Sequence, residues 1–339
     1  MDLDLNFIWF VLLGVLIAGY FVLDGFDLGV GILHPLASSE QERRTNVNAI
    51  GPLWDGNEVW LITFGGALMA AFPEAYATVL SGFYDAIMLL LFALIFRAFS
   101  LEFRSKLTVR GWRPFCDWAF FGSSLVIPLV FGIAAGNIMT GLPLDRRGDY
   151  VGGVLELFNG YALLVGFMTV SMCAMHGAIF LYLKTGGNLQ ARMQRWMWHT
   201  FGMFLVLYLL TTIYTLMHVP AATEQFEHNP GAWIVVILSV MAIASIPRHL
   251  YYGKAHRAFV SSALTIIGFV ILFSMALYPN MVASDPNPEN SLTIYTAASS
   301  PMTLTIMLII AGIGMPFVLG YTVVIYWTFR GKVDESTHY

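Results

Sequence analysis

Residues 7–33 read FIWFVLLGVLIAGYFVLDGFDLGVGIL, an apolar run whose only charged side chains are Asp24 and Asp27. Crossing the hydrocarbon core of a bilayer takes about 20 such residues in a helix, so this run spans with turns to spare. A barrel strand would need a sustained alternation of period two, and none is present. Similar runs recur along the chain at 52–71, 77–99, 115–139, 158–183, 201–218, 233–246, 259–278 and 302–329. The expectation is an all-α polytopic membrane protein of about nine transmembrane helices, folded as a single domain over residues 1–339. Composition agrees. Of the 339 residues, 58% are hydrophobic and 11% charged, and the mean hydropathy is +0.70, whereas soluble domains carry about 25% charge. A nucleic-acid binder, a disordered chain and a secreted disulfide scaffold are all excluded. Cys116 and Cys173 lie far apart with no CxxC, so no thiolate metal site is indicated. Residues 1–6 hold two aspartates and no base, unlike the start of a signal peptide.

Basic residues set the expected topology. One side receives Arg43 and Arg44; Arg97, Arg104, Lys106, Arg110 and Arg113; Lys184, Arg192 and Arg195; Arg248, Lys254 and Arg257; and Arg330 and Lys332. The other receives only Arg146 and Arg147, with Glu224, Glu227, Asp285 and Glu289 in its longer connections. The positive-inside rule then places the amino terminus outside and the carboxyl terminus in the cytoplasm. The external stretch 279–301, rich in Pro, Asn and Ser, reads as an ordered surface loop.

The chemistry concentrates in two strings, GYFVLDGFDLGVG at 19–31 and GPLWDGNEVW at 51–60. Asp24 and Asp27 share a helix face, as do Asp55 and Glu58. At the helical rise the first pair lies about 9–14 Å from the inner end of its span and the second about 5–9 Å. Two antiparallel helices thus bring four carboxylic acids to a common depth. Ionised acids are costly in hydrocarbon, and acids that desolvation and mutual repulsion hold protonated can exchange protons near neutral pH. The spacing points to a proton-uptake path open to the cytoplasm. The bland alternative is that the acids cap helices or sit among wet headgroups. Gly25 and Gly29 form a GxxxG that admits a close neighbouring helix.

His176, about 11 Å inside the fifth span, is a weaker candidate for the same path and reads more readily as a structural core histidine. The remaining histidines (His34, His199, His218, His228, His249, His256 and His338) fall at span edges, in loops or in the tail, so no haem bound wholly by this chain is expected. Asp85, about eight residues into the third span, is expected to pair with a polar group on another helix. Arg97, Glu102, Arg104 and Lys106 read as a solvated, lipid-facing anchor, with a proton-guiding role for Arg97 as the lesser alternative. The 17 Met and the 50 Phe, Tyr and Trp side chains read as packing and lipid-facing residues, some fit to flank a quinone tail.

The strings at 19–31 and WDGNEVWLIT at 54–63, with GGAL at 65–68, AAFP at 70–73, SGFY at 81–84, FR at 96–97, FRSK at 103–106, HGA at 176–178 and LKT at 183–185, resemble subunit II of cytochrome bd-type quinol oxidases. The resemblance runs over nearly the whole chain. It implies a haem-free subunit in a bacterial or archaeal cytoplasmic membrane, partnered by a subunit I that carries haems b and d. The complex oxidises ubiquinol or menaquinol, reduces oxygen to water and builds a proton-motive force without pumping. In the family, subunit II lines the path that protons take from the cytoplasm. Asp27 and Asp55 match that path, with Asp24 and Glu58 beside them and Trp54 flanking. Some members hold a structural quinone, and small single-helix subunits often attach. Three departures stand out: the family position of Glu58 can carry Gln, Asp85 falls where a neutral residue is the rule, and the connection at 219–232 is short. Two rival readings remain, a proton-coupled secondary transporter using the same acids and a purely structural subunit.

Overall fold

A computed structural model describes residues 4–220, 222–224 and 231–333; Glu227, His228 and His338 lie outside the described residues. Among the described residues, eleven helices of ten or more residues make up the fold. They are α1 (Leu5–Leu33), α2 (Glu40–Ile50), α3 (Trp54–Ala71), α4 (Pro73–Gly82), α5 (Tyr84–Phe103), α6 (Trp112–Thr140), α7 (Gly160–Lys184), α8 (Gly187–His218), α9 (Ala232–Tyr251), α10 (Ala255–Leu277) and α11 (Pro301–Thr328). A short antiparallel pair, β1 (Asn280–Val282) and β2 (Leu292–Thr293), lies between α10 and α11. Among the described residues, eight helices are long and apolar enough to cross a membrane, or nine if the bent α3–α4 pair counts as one span.

Several boundaries differ from the sequence expectation. The expected third span, 77–99, straddles two helices. Pro73 lacks an N–H and disfavours a helical residue before it, so the chain turns by 120° between α3 and α4. The crossing helix then starts afresh at Tyr84. On α8 the helix begins at Gly187 rather than 201, because its polar first turns continue beyond the apolar stretch. Nothing in the hydropathy pattern points to α2. Its sequence is polar, but Ser39 accepts a hydrogen bond from Glu42 N–H (3.2 Å) while the Glu42 carboxylate accepts from Ser38 N–H (2.6 Å), a reciprocal cap that starts it.

Alternate helix ends gather on two opposite faces. On one, Tyr295 donates to Asp4 (3.1 Å), Trp9 Nε1 to the Leu304 carbonyl (3.0 Å), Ser299 N–H to Ala71 and Leu142 N–H to Ala283. The stretch 279–301 is thus pinned down, an ordered loop as its composition implied. On the other face, Arg104 pairs with Glu40, Arg192 with Glu42 (2.5 Å), and Val333 N–H donates to the Lys184 carbonyl. That opposite face holds segments the charge pattern assigned to one side.

α1 is the hub, packing against α3, α6, α7 and α10. Its closest approach is to α7, where a Cβ on Gly29 would fall 2.0 Å from the Cys173 carbonyl and 2.7 Å from Gly177 Cα. Gly25 has only an ordinary contact there, so Gly29 alone carries the close crossing expected of the pair. Gly19 serves α3 in the same way by admitting the Trp60 ring. In contrast, α11 stands at the periphery with only Leu304 buried.

Candidate functional site: acids between α1 and α3

Asp24 and Asp27 face inward from α1 and are both fully buried. Asp24 accepts two hydrogen bonds from Arg97 of α5, one of them Nη1 to Oδ2 at 2.7 Å, in a fork-to-fork ion pair. Arg97 is 0% exposed, which overturns its reading as a solvated, lipid-facing anchor. The reason is its register: Arg97 lies two turns inside α5, on the face that meets the bundle, and a buried guanidinium needs a carboxylate. Arg104 is buried as well, whereas Glu102 and Lys106 form the outward pair that the anchor reading fits.

Asp27 is held differently. Asn57 of α3 donates to its Oδ2 (2.7 Å) and to the Leu23 carbonyl (3.1 Å), while the Tyr326 hydroxyl of α11 donates to Asn57 Oδ1 (2.9 Å). Asp27 Oδ1 has no protein partner among the described residues. The Arg97 Nε is likewise buried without a partner among the described residues, and the buried Tyr20 hydroxyl, one turn before Asp24, lies beside the Asp24 carboxylate. Unpaired buried polar atoms are costly and therefore uncommon, and two of them, Asp27 Oδ1 and Arg97 Nε, belong to this group of buried charged side chains.

The α3 acids lie on the same helix as Asn57 but turn away from it. Asp55 is exposed and Glu58 partly buried, although Glu58 remains within electrostatic reach of Arg97, Asp24 and Asp55. Trp54 is buried beside Leu53 and Ile50 at the start of α3. The four acids therefore share a level but not one environment. His176 is apart from them. Its Nδ1 meets Ser262 Oγ (2.6 Å), its Nε2 meets the Val22 carbonyl (3.1 Å), and its ring stacks on Phe259 at 4.4 Å. A carbonyl only accepts, so Nε2 carries hydrogen and the ring is a satisfied core residue. Asp85 is not deep in a span either: α5 starts at Tyr84, and the acid sits exposed in its first turn, where the helix dipole favours it.

A further ionic cluster went unread in the sequence. Asp117 of α6 accepts from His34 Nε2 (2.8 Å), Arg104 Nε (2.6 Å) and Arg43 Nη1 (3.2 Å), and Glu40 accepts from Arg104 and Arg113. Burial alone would lower the affinity of the Arg104 guanidinium for its proton, but its bonds to Asp117 and Glu40 raise it. The cluster ties α2, α5 and α6 together at one face. A lone acid two residues inside the fourth expected span, opposite an arginine-rich loop, was the available signal.

Over residues 5–329 the chain matches the family model described as cytochrome bd terminal oxidase subunit II. The cytochrome bd-I ubiquinol oxidase subunit 2 of Escherichia coli K12 is 36% identical over 363 aligned positions, covering 98% of this chain and 96% of the relative. The chain belongs to the cytochrome bd terminal oxidase subunit II family. The cytochrome bd ubiquinol oxidase subunit 2 of Bacillus subtilis 168 is 33% identical, with 98% of each covered. The fold is shared with a chain of the bd oxidase from Geobacillus thermodenitrificans, at TM-score 0.79 and 16% identity over 96% of this chain and 99% of that one. As a bd oxidase subunit II, the chain is one part of an oxidoreductase complex in a bacterial membrane, and a subunit II implies a subunit I. The transporter reading gains no support from any of these relatives.

His176, fully buried, spends both ring nitrogens on Ser262 and the Val22 carbonyl and has none left for a haem iron. His34 gives its Nε2 to Asp117 at the basic face. Among the described residues, no group of three or more His, Cys, Asp or Glu is placed to hold a metal ion.

Proposed function

We propose that this subunit lines the path by which protons reach the oxygen-reducing centre of subunit I, while that partner oxidises quinol at haems it alone holds. The basic face, with Arg43, Arg104, Arg113 and Arg192, is then cytoplasmic, and the amino terminus and the 279–301 loop lie outside. Asp55, exposed near the start of α3, receives protons from that side. Asp27 passes them inward, with Glu58 between and Trp54 walling the entry.

The observation that carries this reading is the mismatch at Asp27. One oxygen is tied to Asn57 and the other, fully buried, is left without a protein partner, as suits a carboxyl that gains and gives up a proton. Asp24 has a different part. Its two hydrogen bonds from Arg97 suit a fixed ion pair that sets the local field, and breaking such a pair leaves a bare buried charge. The exposed side of α3 and the bare length of α11 offer subunit I its seat. Quinone as substrate or structural ligand, lipid and small single-helix subunits belong to the same assembly.

The test is Asp55→Asn in the assembled complex, with oxygen consumption measured at matched haem content. A loss of turnover with haems retained is expected; wild-type turnover at full haem content removes Asp55 from the path. Loss of the haems themselves assigns Asp55 to assembly instead.

A further inference from the structure

Resting on the reading of Asp27 as a proton carrier, we infer that Asn57 and Tyr326 are positioning residues that restrict its transferable proton to Oδ1. The juxtaposition is a chain of polarity with one consistent direction. The Leu23 carbonyl can only accept, so the Asn57 atom 3.1 Å from it is the amide nitrogen. That nitrogen's other hydrogen then points to Asp27 Oδ2 at 2.7 Å. With the nitrogen so placed, Asn57 Oδ1 faces Tyr326, whose hydroxyl donates at 2.9 Å. An amide rotated by half a turn would set two carbonyl oxygens against each other at Leu23 and only reverse the Tyr326 bond, so the Leu23 carbonyl fixes the orientation.

The consequence is chemical. Asp27 Oδ2 is committed as an acceptor, so a proton on this carboxyl resides on Oδ1, the oxygen without a protein partner. An amide does not relay protons under these conditions, so Asn57 and Tyr326 are no branch of the path. They fix which oxygen loads and unloads, and they do so from two helices, α3 and α11. Tyr326 is otherwise in place for packing, edge-on to Phe26 at 6.3 Å, and Tyr326→Phe keeps that ring while deleting the hydroxyl.

The experiment is infrared difference spectroscopy of the assembled oxidase, with oxygen consumption and haem content measured in parallel. Asp27→Asn identifies the Asp27 carboxyl band by its loss. In Tyr326→Phe and Asn57→Leu, that band moves to higher frequency because its C=O, Oδ2, loses or weakens its donor. Turnover falls about threefold in Tyr326→Phe, the scale of one neutral hydrogen bond, and further in Asn57→Leu. An Asp27 band and turnover both unchanged in Tyr326→Phe at full haem content overturn the positioning role. Wild-type turnover in Asp27→Asn overturns the carrier reading beneath it, so the two failures are told apart.

Discussion

Asp24 and Asp27 on α1 and Asp55 and Glu58 on α3 repeat one pattern, two carboxylates a helical turn apart. The α1 pair is sealed in the core, while on α3 Asp55 is exposed and Glu58 half-buried, on a helix that buries little besides Trp54, Asn57, Trp60, Leu68 and Ala71. Spacing decides which side chains share a face. What that face meets is decided by the neighbours, and here these are Arg97 for Asp24 and Asn57 for Asp27. The sealed pair is itself asymmetric, one member held by a full opposite charge and the other by a neutral amide. On the proposed function, that asymmetry separates a fixed charge from a carboxyl that exchanges protons.

The contrast is broken most severely by Arg97→Leu, which strands Asp24 as a buried charge. A loss on the order of 3–5 kcal/mol is expected, seen as a collapse in haem-loaded complex recovered from membranes. The double change Asp24→Leu with Arg97→Leu recovers much of it. A smaller effect follows from Gly29→Ala, whose methyl group meets the α7 backbone. About 1–3 kcal/mol of overpacking lowers the thermal unfolding temperature of the complex and loosens the seal around Asp27.

Glu42, an acid at the basic face, gives a smaller and pH-dependent effect. Burial alone would raise its pKa, but bonds from Arg192 and from the Ser38 and Ser39 amides hold it below the ordinary 4.5. A depressed folded-state value means the stabilisation is complete above about 4.5 and is lost as pH falls through the folded value. Thermal stability of the wild type therefore declines on acidification below that point, and Glu42→Gln lacks this increment of the decline. The smallest effect on stability belongs to the exposed Asp55: Asp55→Asn stays within about 0.5 kcal/mol in a melting experiment, whatever it does to turnover.

Much of this architecture was legible in the chain. Apolar runs marked the spans, and loop charges sorted the connections onto two faces. The misreadings have physical causes. Hydropathy registers only the part of a helix immersed in lipid, so the polar start of α8 and the whole of α2 escaped it. The apolar stretch continuing past Pro73 hid a sharp break. In the site, the acids could be named but their partners could not. Arg97 sits more than seventy residues from Asp24 in sequence, and its basic surroundings suggested a lipid-facing anchor. Asn57 lay inside a telling motif with no charge to draw notice, and Tyr326 was one aromatic among many in the last span. Partnership across helices depends on rotation and depth, which a single sequence leaves open.

The most direct test of a proton path opening at the basic face is proton uptake by the oxidase in sealed vesicles of known orientation, followed by a pH indicator after an oxygen pulse to the reduced complex. Uptake should occur from the side bearing Arg43, Arg104 and Arg113, and should slow at least in step with turnover in Asp27→Asn while haem content stays full. Uptake from the opposite side, or uptake at the wild-type rate in Asp27→Asn, would contradict it.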